Sequence, residues 1–172
     1  MRKVIVTGAG GFIGHHLSKF LKAKGCYVVG VDIKKPEFEV SRADKFIIYD
    51  IREKSKVWED LFQGIDDVWA LAADMGGMGF ISQNHATIMR NNVTININTL
   101  EAARKSKIKR YLYTSSACAY PVNLQTEEDS APLAEHMAYP ANPQHGYGWE
   151  KLYTEKLCEY YHEEFGLDMR IA

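Results

Sequence analysis

Two short stretches of this chain hold side chains with more reactivity than packing requires. Ser115-Ser116-Ala117-Cys118 supplies two hydroxyls and a thiol, and Tyr147-Gly-Trp-Glu-Lys151 supplies a phenol and an ammonium. Tyr147 and Lys151 stand four apart, so a helix carries both on one face. A phenol beside an ammonium is a device for moving a proton. Tyr-x-x-x-Lys is also the pattern of an ordinary helix pair, and a lone cysteine such as Cys118 is also a small core residue. The elements that must position these groups decide between the readings.

Tyr111-Leu-Tyr-Thr114 is apolar and aromatic like a buried strand, and small polar residues follow it directly, so the hydroxyls and the thiol sit at a strand end. Lys3–Thr7 reads as another buried strand, Gly8-Ala-Gly10-Gly11-Phe12-Ile13-Gly14 as a glycine turn, and the residues to about Lys24 as a helix. In that setting Gly8 makes the tight turn, Gly11 lets a pyrophosphate approach the backbone, and Gly14 lets helix and strand pack closely. The helix N-terminus then faces the phosphate charge. The next strand, Cys26–Asp32, ends in a carboxylate eighteen residues beyond Gly14. That is the place of an acid accepting hydrogen bonds from the adenosine ribose, which favours NAD over NADP. Lys34 and Lys35 offer charge for a 2'-phosphate, or belong to a solvated loop.

Lys45–Arg52 reads as a third strand whose Asp50 is a candidate acceptor for the adenine amino group or a cap for the helix expected over Lys54–Gly64. Asp67–Leu71 is a fourth strand. Strands and helices alternate, which predicts an α/β fold: a Rossmann-type, doubly wound parallel sheet in the order 3-2-1-4-5-6 with helices on both faces. After the fourth strand, Ala72–Phe80 is a glycine-rich loop at the carboxyl end of the sheet, where such folds hold ligands. A long helical pattern runs over Ser82–Ser106, whose Asn91, Asn92 and Asn96 need hydrogen-bond partners if buried. Val122–Gln144 is a polar connection with three prolines, of a length that often covers a ligand. Tyr147–Phe165 is a helix, and Asp168–Ala172 starts a further strand.

Composition narrows the function classes. With 172 residues, 46% of them apolar, the chain is one ordinary domain with a real core. A formal charge of −1 and no Lys/Arg block exclude the electrostatic footprint of a nucleic-acid binder. The N-terminus reaches glycine too soon for a signal peptide or membrane span, which predicts a cytoplasmic protein without membrane association. Cys26, Cys118 and Cys158 are odd in number and lack ligand spacing, so reduced thiols and no metal are expected.

Taken together, Gly8-x-x-Gly11-x-x-Gly14, Asp32, Asp50, Leu71-Ala-Ala73, the Ser-Ser-Ala-Cys run and Tyr147-x-x-x-Lys151 resemble the extended short-chain dehydrogenase/reductase family, along essentially the whole chain. Ala72–Phe80 and Ser115–Pro121 resemble the branch of that family whose substrate is GDP-mannose. The resemblance implies an NAD-dependent nucleotide-sugar epimerase that oxidises C4 transiently and inverts C3 and C5. It implies Gly8, Gly11, Phe12, Ile13, Gly14, Asp32, Asp50, Ile51, Leu71, Ala73, Tyr147 and Lys151 around the cofactor, and Gly76, Ser116, Ala117 and Cys118 against the sugar. Tyr147 takes the proton of the 4-hydroxyl, Lys151 lowers the phenol from its free value of about 10, Ser116 steadies the same oxygen, and Cys118 is one of two acid/bases. The other, a lysine, and most contacts to the GDP group are expected beyond the equivalent of Ala172. The expectation is therefore a cofactor domain over 1–172, without the family's C-terminal substrate domain, that binds NAD but does not complete the epimerisation alone. The Ser82–Ser106 and Tyr147–Phe165 helices resemble those that pair in the family's homodimers. The alternatives are another nucleotide-sugar epimerase, a 4,6-dehydratase, or a non-catalytic NAD-binding module. A dehydratase needs an acidic pair, and Ala117 and Cys118 offer no carboxylate at the matching positions.

Overall fold

The computed structural model describes residues 1–37, 39–125 and 132–172. Its six strands are β1 (Lys3–Thr7), β2 (Tyr27–Asp32), β3 (Lys45–Ile48), β4 (Asp67–Ala70), β5 (Arg110–Tyr113) and β6 (Met169–Ile171). They form one parallel sheet in the order β3-β2-β1-β4-β5-β6, as the alternating pattern predicts. The helices are α1 (Phe12–Ala23), α2 (Lys56–Asp60), α3 (Met78–Gln83), α4 (His85–Lys105) and α5 (His145–Phe165).

Strand alternation sorts the core into two layers. Val4, Val6 and Val28 pack with Leu21 of α1 on one face, while Ile5, Val29, Val31, Val68, Tyr111 and Tyr113 pack on the other with Trp58 of α2, Ile95 and Leu100 of α4 and Cys158 of α5. The order of the strands reverses between β1 and its neighbours β2 and β4, and the crevice at their carboxyl ends is the switch point of such a sheet.

Expected elements differ in several places: β3 stops at Ile48, short of Arg52, and α1 starts at Phe12, inside the stretch read as the glycine turn. The helix foreseen over Lys54–Gly64 is a single α-helical turn capped by Ser55, whose side chain accepts from the backbone N–H of Trp58. Beyond Asp60 the backbone tightens into three-residue bonds, Phe62 to Glu59 and Gln63 to Asp60, until Gly64 turns the chain at φ +71°. The glycine-rich loop ends earlier than the sequence suggests. Residues from Met78 form α3 because Ile81 is buried against Ile88 and Tyr147, and Phe80 lies over Gly76, where a Cβ would come within 2.8 Å of Phe80 Cβ. Of the long polar connection, 126–131 lie outside the described residues.

Candidate active site

The crevice at the switch point is a cavity of about 440 Å³ lined by Gly8, Gly11, Asp32, Asp50, Ile51, Leu71 and Ala73, together with Lys34, Tyr49, Arg52, Asp74 and Ile95. Seven of the residues expected around a cofactor are thus gathered from four separate segments. Phe12 and Ile13 are largely exposed on the first turn of α1 and do not line this cavity. Gly14 serves packing, since a Cβ there would stand 2.1 Å from the carbonyl oxygen of Gly8. Gly11 is different: its φ is −78°, and an added Cβ would meet only Gly8 O at 3.4 Å. The protein itself leaves room at Gly11. α1 begins there without a capping side chain or an acidic residue in its first turn. Such an N-terminus suits a phosphate.

Asp32 accepts from the backbone N–H groups of Gly10 (2.8 Å) and Lys34 (3.1 Å), which fixes its carboxylate at the cavity rim. Asp50 is more committed than its position in the sequence suggests. Arg52 grips both of its oxygens through Nε and a terminal nitrogen at 2.6–3.1 Å and holds its carboxyl below the usual range. An adenine amino group would share this carboxylate with Arg52.

The reactive groups meet beside α5. Tyr147 is buried with Ile81 and Ile88, and Cys118 packs against the same cluster. Cys118 is the middle residue of a short 3-10 turn, Ala117–Ala119, and its backbone N–H donates to Ser116 Oγ at 3.2 Å. Sequence reasoning passed over the residue that permits this meeting. At Gly148 a Cβ would fall 2.1 Å from the carbonyl oxygen of Cys118, so only glycine lets the first turn of α5 press onto that backbone. A glycine inside a helical pattern was the available signal.

Lys151 is buried, and its Nζ donates to the carbonyl oxygen of Thr114 at 2.8 Å while lying 4.8 Å from the Tyr113 ring centroid and 5.6 Å from that of Tyr147. Burial raises the Tyr147 phenol above its ordinary value; the Ser116 hydroxyl opposes this, and the charges of Glu150 and Cys118 add to it. This reverses the direction expected from Lys151, because burial outweighs the groups that favour the ionised phenol. Burial likewise pulls Lys151 down, against Glu150 and Glu155. Neither Tyr147 nor Lys151 lines the 440 Å³ cavity. Ser116 and Ala117 line a second cavity of about 730 Å³ that runs beside β6, and Gly76 lies beneath Phe80 rather than in either cavity.

The asparagines of α4 join the two regions. Asn92 Oδ1 accepts from the backbone N–H of Asp74 at 2.6 Å, and Asn91 Nδ2 donates to Asp74 Oδ2 at 2.6 Å. Asn92 Nδ2 donates to Glu150 Oε1 at 2.9 Å, and Asn96 Nδ2 to Thr154 Oγ1 at 3.1 Å. Glu150 is fully buried, and burial pushes its carboxyl up from 4.5 to about 7. A raised carboxyl favours the folded state below its unfolded value and loses that advantage as the pH climbs through the folded value. A Glu150→Gln variant is therefore expected to melt close to wild type near pH 5 and above it at pH 8, as thermal unfolding at the two pH values would register.

A switch-point cleft with a glycine-lined helix start, and a Tyr/Lys pair on α5 whose lysine bonds the end of β5, define a domain of the dinucleotide-binding fold class. Residues 4–172 match the NAD dependent epimerase/dehydratase family, and the chain belongs to it. NAD is the cofactor of that family. More particularly, the chain is similar to GDP-mannose 3,5-epimerase of Arabidopsis thaliana, with 48% identity over 172 residues covering 99% of this chain and 45% of that protein. It is similar to GDP-mannose 3,5-epimerase 1 of Oryza sativa subsp. japonica at 46% identity over the same shares. Among solved structures it resembles UDP-glucose 4-epimerase from Brucella ovis in complex with NAD, with a TM-score of 0.83 and 26% identity over 99% of this chain and 51% of that one. UDP-glucuronic acid 4-epimerase from Bacillus cereus, in complex with UDP-glucuronic acid and NAD, gives 0.79 and 31% over 98% and 55%. The chain spans about half the length of the relatives it matches. No described helix is long and apolar enough to cross a membrane.

Proposed function

We propose that residues 1–172 are the NAD-binding part of a nucleotide-sugar epimerase that converts GDP-mannose to GDP-L-galactose in the cytoplasm. The observation that carries this reading is the meeting of Tyr147, Ser116 and Cys118 beside the Asp74 loop, in a chain that is 48% identical to a GDP-mannose 3,5-epimerase. Gly8, Gly11 and the start of α1, with Phe12 and Ile13, hold the pyrophosphate. Asp32 holds the ribose, and Asp50, Ile51, Leu71 and Ala73 flank the adenosine. When bound, NAD supplies a hydride acceptor and, at the end of the cycle, a donor. Tyr147 takes the proton of the sugar's 4-hydroxyl, with Ser116 hydrogen-bonded to the same oxygen and Lys151 lending positive charge. The 4-ketone acidifies the hydrogens on C3 and C5, because each carbanion delocalises into the carbonyl. Cys118 exchanges protons on one face of the ring, and Gly76 and Ala117 bound the sugar. Inversion needs a partner acid/base on the opposite face, and we assign that role to residues beyond these 172.

Incubation with NAD and GDP-mannose in deuterated water tests the reading. Deuterium at both C3 and C5 supports it, loss of the 6-hydroxyl indicates a dehydratase, and NAD binding without exchange in any longer chain carrying these residues indicates a binding module. The 172-residue chain is expected to bind NAD and not to complete the epimerisation; normal turnover would overturn that assignment. The glycines give a separate check of the cofactor site. Gly11→Ala is expected to shift stability by less than about 0.5 kcal/mol while weakening NAD binding at least tenfold, because its methyl fills the room left for the phosphate. Gly14→Ala is expected to destabilise by about 1–3 kcal/mol through overpacking. Melting curves and calorimetric titration read both effects. Exposed Tyr153, Tyr160 and Phe165 on α5 support a homodimer through α4 and α5, which sedimentation would detect as twice the monomer mass.

A further inference from the structure

Glu150 is a large polar side chain with no access to solvent, and its position is costly. Oε1 accepts from Asn92, while Oε2 has no hydrogen-bond partner among the described residues. An unpaired buried carboxylate oxygen destabilises a fold, and a glutamine of the same shape would keep the Asn92 bond without the charge. Packing accounts for the shape of this residue but not for its charge.

The groups facing Glu150 show what the charge does. Asn92 on α4 bonds it directly, with Asp74 behind, and Lys151 and Tyr147 on α5 and Tyr113 on β5 feel its charge without bonding it. Lys151 is buried against a neutral acceptor, the Thr114 carbonyl, and Glu150 is the foremost group opposing loss of its proton, ahead of Glu155. The same charge resists ionisation of Tyr147. Glu150 therefore widens the pH range over which the resting pair is ammonium beside neutral phenol. Its second contact runs elsewhere: Asn92 bonds the backbone N–H of Asp74 at 2.6 Å and reaches its carbonyl oxygen at 3.3 Å. One carboxylate on the reactive helix is thus joined through Asn92 to the loop after β4.

We propose that Glu150 is a positioning residue for Tyr147 and Lys151: a buried carboxylate that acts as counter-charge to Lys151 and, through Asn92, ties the Asp74 loop to the helix bearing both groups. This rests on the reading of Tyr147 and Lys151 as the proton-transfer pair, but the measurements that test it do not require that reaction.

The test uses the ligand-free chain. The side-chain signal of Lys151, assigned by its loss in Lys151→Met, is followed by NMR across the pH range in wild type and Glu150→Gln, and amide hydrogen exchange is followed at Asp74. In Glu150→Gln the Lys151 midpoint is expected to fall by about half a unit or more, while exchange at Asp74 stays within about threefold because the amide oxygen still accepts from Asn92. Asn92→Ala is expected to speed exchange at Asp74 about tenfold or more. An unchanged Lys151 midpoint overturns the counter-charge, and indifference of Asp74 to Asn92→Ala overturns the tie. Should Glu150→Gln fail to fold, wild type alone decides, since the Lys151 signal must inflect as Glu150 titrates near 7, and a flat response there refutes the proposal. NAD titration of the same samples separates the two readings: a chain that ignores NAD loses its proposed function, while the Lys151 result stands or falls independently.

Discussion

Tyr147→Phe is expected to slow oxidation at C4 of the sugar by about 10²–10⁴-fold, the span of a lost general acid/base, with NAD affinity within a few-fold of wild type. The substitution removes one oxygen and keeps the ring that packs on Ile81 and Ile88, so folding is not at stake. The pH profile should carry the same residue. Burial holds the phenol above its ordinary value while the Ser116 hydroxyl favours its ionised form. Replacing Ser116 by alanine should therefore move the ascending limb of the rate profile, where the phenol ionises, to higher pH, and Glu150→Gln should move it to lower pH. Single-turnover formation of the reduced cofactor, with the 172 residues or a longer chain that carries them, reads each effect. A phenylalanine variant that oxidises the sugar at the wild-type rate would remove Tyr147 from the mechanism.

Much of this site was legible in the sequence because its parts sit at ends of regular elements. The parallel order of six strands followed from the alternation of apolar runs with helical periods, and the glycine spacing located the turn before α1, although the helix itself begins at Phe12, inside the stretch read as turn. Contacts between segments were harder to read. That Asn92 would bond both Asp74 and Glu150 depends on the rotation of α4 against α5, which periodicity fixes only as a buried face. Its need for partners was readable, but their identity was not. Gly148 looked like a helix residue of low propensity, yet its meaning lies in a carbonyl oxygen thirty residues upstream. The sense of the Tyr147 shift was misjudged for a related reason. Spacing on a helix brings Lys151 near, but only tertiary structure shows its ammonium bonded to Thr114 and the Tyr147 ring packed against Ile81 and Ile88. Charge proximity and desolvation oppose one another here, and burial wins.

Cys118→Ala is expected to separate two steps that Tyr147→Phe would stop together. Oxidation at C4 depends on the phenol and its neighbours, so the alanine variant should keep it within about threefold, whereas proton exchange on the face served by the thiol should fall by about 10²–10⁴-fold. The thiol is half-buried, packs against the Tyr147 cluster, and has its backbone pinned between Ser116 Oγ and Gly148. Removing the sulfur should leave that backbone in place. Cys118→Ser keeps a polar atom in much the same position, but a hydroxyl is a far weaker acid than a thiol; serine should therefore rescue packing without rescuing exchange. Deuterium incorporation at C3 and C5, measured beside the rate of C4 oxidation, distinguishes the outcomes. If alanine lowers both rates equally, Cys118 holds Tyr147 in place and moves no proton. If alanine changes neither, the acid/base on that face is another residue, and the assignment of 3,5-epimerisation loses the side chain that this sequence offers for it.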